Sequence, residues 1–221
     1  MMTNIFSIFD PSTSILTSMN WSSMLIMLMI LPYQFWMTPS RIITTWLMLI
    51  KYIFKELKTL FNHSLINIIM FISLLTMIFF NNFLGLFPYI FTASSHIVIS
   101  LSLSLPLWLG MMMFSLSKFF NVTMSHLTPQ GTPTILMPFM VIIETISLII
   151  RPFTLAIRLT ANMIAGHLLL TLMGSSGINM NKMFMMLLIT SQILLLILEI
   201  SVSLIQAYVF SILSALYSNE I

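Results

Sequence analysis

The 221-residue chain contains no cysteine, and charged residues make up only 6% of it. The first absence excludes disulfides, thiolate metal centres and cysteine nucleophiles. The second excludes an ordinary water-soluble domain, in which ~25% of residues are charged. Eight Lys plus Arg against five Asp plus Glu leave a net +3, too few cations for the basic patch of a nucleic-acid binder. No P-loop occurs, so no nucleotide chemistry resides on this chain. Four dispersed histidines without cysteine make no metal site, and no cofactor is implied.

What the chain does have is apolar length. Hydrophobic residues make up 59% and the mean hydropathy is +1.07, which means an integral membrane protein. A crossing needs about 20 apolar residues at ~1.5 Å rise, and the spacing of charges finds them. Residues 15–36 make a first span, with Pro32 near its end. From Arg41 onward Lys51, Lys55 and Lys58 share one helical face, while Ile42, Ile43, Trp46, Leu47, Ile50, Ile53, Phe54, Leu57 and Phe61 fill the other. This predicts an amphipathic helix on the membrane surface. Residues 65–80 and 97–116 form a hairpin of spans whose tip, 81–96, opens with a turn-like stretch. Residues 118–133 are a polar connection with a turn cluster at 128–133.

Two segments of another kind follow. Residues 134–173 would measure ~60 Å as one helix and 183–217 ~52 Å, so both are expected to tilt steeply or break, with Pro152 as the place for a kink. Gly174 to Asn179 supply the turn that folds them into an antiparallel hairpin. The predicted fold is all-α, one membrane domain over 1–221. Its parts are a first span and surface helix (1–63), a hairpin of spans (64–117) and a long tilted hairpin (134–217), giving five membrane-embedded helices plus one surface helix. Arg41, Lys51, Lys55, Lys58 and Lys118 gather on one side, which the positive-inside rule makes the interior, with the N-terminus outside and the C-terminus inside. The heavy use of Met, Ile, Phe and Asn resembles AT-rich organelle coding.

Ionisable residues inside the long hairpin carry the functional information: Glu144, Arg151, Arg158 and His167 in its first helix, Glu199 in its second. An arginine at bilayer depth costs roughly 2.5–3.5 kcal/mol on insertion scales. Arg151 is relieved by Pro152, snorkelling or a nearby carboxylate, whereas Arg158 is mid-helix among Leu155, Ala156, Ile157 and Leu159. Glu144, Arg151 and Arg158 recur every seven residues and form one stripe, drifting ~20° per step; His167 falls on the opposite face. Glu199 and Gln206 share a face of the second helix. An antiparallel register that sets Arg158 level with Gln206 also sets His167 level with Glu199, at the cost of a stagger of ~15 Å from a symmetric turn. Chemically, a guanidinium has no acceptor and cannot relay protons, but it holds a fixed positive charge. His167 and a buried Glu199 or Glu144 are groups that can titrate. Titratable groups on either side of a non-titrating cation describe two half-paths separated by a barrier; the bland alternative is buried ion pairs that hold helices together.

The run TLAIRLTANMIAGHL from Thr154 to Leu168 resembles the signature around the essential arginine of the subunit a family of F-type ATP synthases. LEISVSLIQAYVF from Leu198 resembles that family's last helix, NFLGLFPY from Asn82 its first hairpin tip, and ETISL from Glu144 also fits. The resemblance spans nearly the whole chain. It implies a proton-conducting stator beside a rotating c-ring, each c subunit bearing a mid-membrane carboxylate, with other Fo and peripheral-stalk subunits as partners and protons as the transported ion. By motif, Arg158 is implied to separate two half-channels and meet the ring carboxylate. His167 and Glu199 are implied in the inlet, Glu144 near the matrix outlet, and Asn162 and Gln206 as polar neighbours of the arginine. The implied location is the mitochondrial inner membrane. Rival readings are a secondary carrier, which would show inverted-repeat halves, and a structural subunit of another respiratory complex, which would leave Arg158 replaceable. His96, at the loop edge, is a weaker candidate for lining the inlet vestibule.

Overall fold

The structure is a computed structural model that describes residues 4–13, 17–60, 65–128, 133, 135–177 and 181–220. Among them are seven α-helices: α1 (Ser23–Ile30), α2 (Arg41–Leu60), α3 (Leu65–Gly85), α4 (Ile97–Lys118), α5 (Phe120–Leu127), α6 (Met137–Ser176) and α7 (Lys182–Glu220). Short 3-10 turns occupy Ile5–Phe9, Met19–Ser22 and Ala93–Ser95, and the described residues include no strand. Four helical stretches are long and apolar enough to cross a membrane: Asn67–Gly85, Ile97–Lys118, Met137–Ser176 and Lys182–Ser218.

The segment expected as a first span differs from that picture. Its helical part runs only from Met19 to Ile30, roughly 20 Å against a core of ~30 Å. Pro32 is the cause at the C-terminal end: a residue before proline is pushed out of the helical region, and Leu31 sits at φ −58°, ψ 128°. At the other end Ser18 is non-helical (φ −115°, ψ 56°); residues 14–16 lie outside the described residues.

Two connections also carry more helix than expected. The polar stretch after Lys118 contains α5. Asn81 and Asn82, expected in a turn, belong to α3, which continues to Gly85 because Asn82, Leu84 and Gly85 are buried against the bundle. A side chain at Gly85 would place its Cβ 3.0 Å from Thr92 Cγ2, so glycine permits the returning chain to come this close. The reversal follows at Pro88 and Tyr89, the latter exposed and at φ 70°. Of the expected turn at 174–179, Gly174 to Ser176 are still helical, and 178–180 lie outside the described residues.

α2 is amphipathic as its pattern predicts. Ile43, Trp46, Ile50, Ile53, Phe54 and Leu57 turn inward, and Lys51, Lys55 and Lys58 are exposed. Ile42 and Leu47 lie at the two edges of the apolar stripe and are exposed; Phe61 is outside the described residues. Trp46 meets Phe80 at 5.3 Å between ring centroids, and Leu57 clusters with Ile68 and Phe71. These two contacts lay α2 antiparallel along α3.

The long helices pack α4 on α6, α6 on α7 and α7 on α3, with α2 against α3 and α7. Ile78, Leu155, Leu159, Ala207 and Phe210 form the core where α3, α6 and α7 meet, and Leu103 and Leu107 of α4 close over it. Helices in lipid gain little from apolar burial and associate through close packing of small residues. α7 meets that requirement with Ser203, Ala207, Ser211 and Ala215, spaced every four residues and all almost fully buried. Their hydroxyls are satisfied within the helix: Ser203 Oγ donates to the Ile200 carbonyl at 2.7 Å and Ser211 Oγ to that of Tyr208 at 2.9 Å. Ala207→Leu is therefore expected to force α3 and α7 apart at a cost of about 1–3 kcal/mol. Reduced thermal stability of the assembled complex, with Leu204→Ala on the exposed face as a near-neutral control, checks this.

Candidate functional site

α6 has two faces of different character. Pro152, Leu155, Ala156, Leu159, Thr160 and Met163 are buried against the bundle. Phe153, Thr154, Ile157, Arg158, Ala161, Ala165 and Leu169 form an exposed stripe at helical spacing. Arg158 thus projects from the bundle in mid-helix, flanked by apolar and small side chains. Glu144 and Arg151, on the same heptad stripe, are half-buried, and the Arg151 guanidinium lies 4.9 Å above the ring of Tyr217 on α7, a cation–π contact between the long helices.

On the inward side the buried face of α6 continues to Gly166 and His167, and there it meets Glu199. Glu199 is one repeat ahead of Ser203 on the small-residue stripe of α7 and is only 7% exposed. A Cβ built on Gly166 would stand 2.7 Å from Glu199 Oε1, so the carboxylate occupies the space that the glycine leaves open. Asn162, Met163, Gly166 and His167 of α6, Glu199 and Val202 of α7, and Leu86 at the end of α3 line one small cleft. Phe9 covers it, its ring edge-on to that of His167 at 6.5 Å between centroids.

Both Glu199 carboxylate oxygens and His167 Nε2 are buried without a hydrogen-bond partner among the described residues. Buried polar atoms are usually paired with protein or ordered water, and these have no protein partner among the described residues, so His167 and Glu199 do not close the cleft as a hydrogen-bonded pair. The structure therefore brings His167, Glu199 and Asn162 together, while Arg158, one turn before Asn162 on α6, is exposed and does not line the cleft. Gln206 is half-buried on α7; Gln206 and Glu144 are not among the residues lining the cleft.

The sequence matches the family described as ATP synthase A chain over residues 16–219. The chain belongs to that family. It is 54% identical to ATP synthase subunit a of Anopheles quadrimaculatus over 225 residues, 54% identical to that of Drosophila simulans over 223, and 52% identical to that of Locusta migratoria over 224, covering 100% of both chains each time. As a member of the ATP synthase A chain family it is a component of the Fo membrane part, and ATP synthesis, proton transport and membrane-spanning helices fit that membership.

Sequence reasoning passed over Gly166 and Phe9 at this site, and Glu56 outside it. Gly166 carried a signal, since a glycine inside a helix costs about 1 kcal/mol relative to alanine and its presence there implies a close neighbour. Phe9 carried none, because only folding brings its ring to His167. Glu56 accepts a 3.2 Å hydrogen bond from the Tyr208 hydroxyl and ties α2 to α7. Gly166→Ala is expected to displace the Glu199 carboxylate and cut proton-driven ATP synthesis by roughly 5- to 100-fold, the equivalent of about 1–3 kcal/mol of overpacking. Adding Glu199→Asp, which withdraws the carboxylate by one methylene, restores part of the rate. Rates per assembled complex for the single and double variants check both statements.

Proposed function

We propose that the chain is the proton-conducting stator of a mitochondrial ATP synthase, offering two offset half-channels to the carboxylates of a rotating c-ring. Protons from the intermembrane side reach the His167–Glu199 cleft and pass to a ring carboxylate. They travel round with the ring and leave toward the matrix by way of Glu144. Arg158, a guanidinium with no acceptor, cannot relay them. Its fixed charge interrupts any direct wire between the half-channels and favours the ionised form of a ring carboxylate brought beside it. Asn162 and Gln206 supply hydrogen bonds to water and to the ring on either side of the arginine.

The observation that carries this reading is the division of α6. A permanent cation stands on its outward face, while a titratable pair lies on the inward face with buried polar atoms that have no protein partner. Small and apolar neighbours, Ala161 and Ala165 among them, leave the outward face free to lie against smooth helices. In this reading residues 15–36 are a fifth membrane-embedded segment. α6 and α7 tilt to follow the rotor, and the N-terminus lies on the intermembrane side and the C-terminus in the matrix. The other partners are further Fo and peripheral-stalk subunits, and nucleotide chemistry resides on other chains.

Arg158→Gln in the assembled complex tests the reading. Proton-driven ATP synthesis is expected to fall about 100-fold or more, the scale of losing a preorganised charge, while ATP hydrolysis by the detached catalytic part stays unchanged. Near-normal coupled synthesis would sink the proposal.

A further inference from the structure

The polar atoms of the cleft are not the only buried ones without a protein partner. Asn82 Oδ1 and Nδ2 on α3, Ser94 Oγ in the turn Ala93–Ser95, and His96 Nε2 at the start of α4 share that condition among the described residues. Asn82 is fully buried and Ser94 is 5% exposed. The Ala93–Ser95 turn packs on α3, α4 and α6, and the contact is tight: the Cβ position of Gly85, one turn past Asn82, is 3.0 Å from Thr92 and 3.6 Å from Met163 Cε. Met163 and Leu86 in turn line the cleft of His167 and Glu199. Unpartnered polar groups thus occur on both sides of this contact among the described residues: Glu199 and His167 in the cleft, and Asn82, Ser94 and His96 about the turn between α3 and α4.

His96 packs among aromatic rings. Its ring lies 5.1 Å from Trp21 and 5.3 Å from Phe91, and those two rings are edge-on at 5.6 Å. The segment bearing Trp21 is fastened to the one bearing Phe9 by Asn20 Nδ2, which donates to the Asp10 carbonyl at 3.3 Å. Each histidine is thus packed against aromatic rings, His167 by Phe9 and His96 by Trp21 and Phe91.

We propose that His96 is the outermost proton carrier of the inlet, set behind a gate of Trp21 and Phe91. A proton lands on one ring nitrogen and another leaves from Nε2, the buried nitrogen, into water held at Ser94 and Asn82; His167 and Glu199 receive it, and the imidazole returns to its starting state by tautomer exchange. Imidazole suits the task because it exchanges protons near neutral pH and has two nitrogens to do it with. α3 carries no titratable group among the described side chains, and α4 carries only Lys118 at its far end. α6 carries His167, outward-facing Arg158, and Arg151 and Glu144 further along; Asp10, Tyr89 and Glu199 complete the set. This inference rests on the inlet proposed above.

The test uses the assembled complex in coupled membranes, with proton-driven ATP synthesis measured against outer pH and normalised to complex on a native gel. His96→Gln keeps the hydrogen-bonding shape without the titration. It is expected to lower the rate about tenfold, the modest end of acid–base relay effects, and to flatten the pH profile. His96→Glu, which carries a proton again, is expected to recover rate with a profile moved to lower pH. Wild-type rate and profile in His96→Gln, or a His96→Glu as slow as His96→Gln, overturns the proposal. If His96→Gln does not assemble, Trp21→Ala takes its place; removal of the gate is expected to raise the rate at alkaline outer pH, and an unchanged rate there overturns the proposal. Failure here alongside an inactive Arg158→Gln removes only His96, whereas an active Arg158→Gln removes the stator reading itself.

Discussion

Glu199 is buried at the contact of two helices, with neither carboxylate oxygen bonded to a protein donor among the described residues. Leaving a polar group in such a place costs several kcal/mol unless water or another group satisfies it. The surroundings follow from accommodating that carboxylate. Gly166 gives up its side chain to make room, and the residues behind Glu199 on α7 are serine and alanine, so the backbones close up and only a small cleft remains. His167 stands beside it with an unpartnered nitrogen of its own. The rest of the bundle, α3 against α7 and α4 against α6, holds these two helices where that fit occurs.

The same economy explains why Arg158 lies where it does. Arg158 does not line the cleft, so its guanidinium is not locked with the Glu199 carboxylate in a buried ion pair, whose two charges would be hard to separate in a low dielectric. It stands about two turns along α6 from Gly166, the residue that meets Glu199, on a face whose neighbours are apolar or small. Arg151, with Tyr217 beneath it, is a cation settled against its own chain and serves the α6–α7 pairing.

Much of this was legible in the sequence because the effects that matter are periodic. The heptad spacing of Glu144, Arg151 and Arg158, and the half-turn offset of His167, follow from 3.6 residues per turn alone. The basic face of α2 and the four long apolar helices were equally plain. What the sequence hid depends on chain segments meeting. The first helix is cut short by the conformation that Pro32 imposes on Leu31, and helix continues through Asn81 and Asn82 because burial outweighs their turn preference. Phe9 over His167, and Tyr208 bonded to Glu56, join residues far apart in the chain, and no local pattern announces them.

The four-residue spacing on α7 also bears on how the long helices find their alignment. Ser203, Ala207, Ser211 and Ala215 are near-equivalent teeth of a rack, and sliding α7 by one tooth, ~6 Å, exchanges serine for alanine with little change in packing. Glu199 is the one tooth of another size, and Gly166 is the one notch that accepts it. The residue that most needs to be in the right place is thus also the index mark that puts it there.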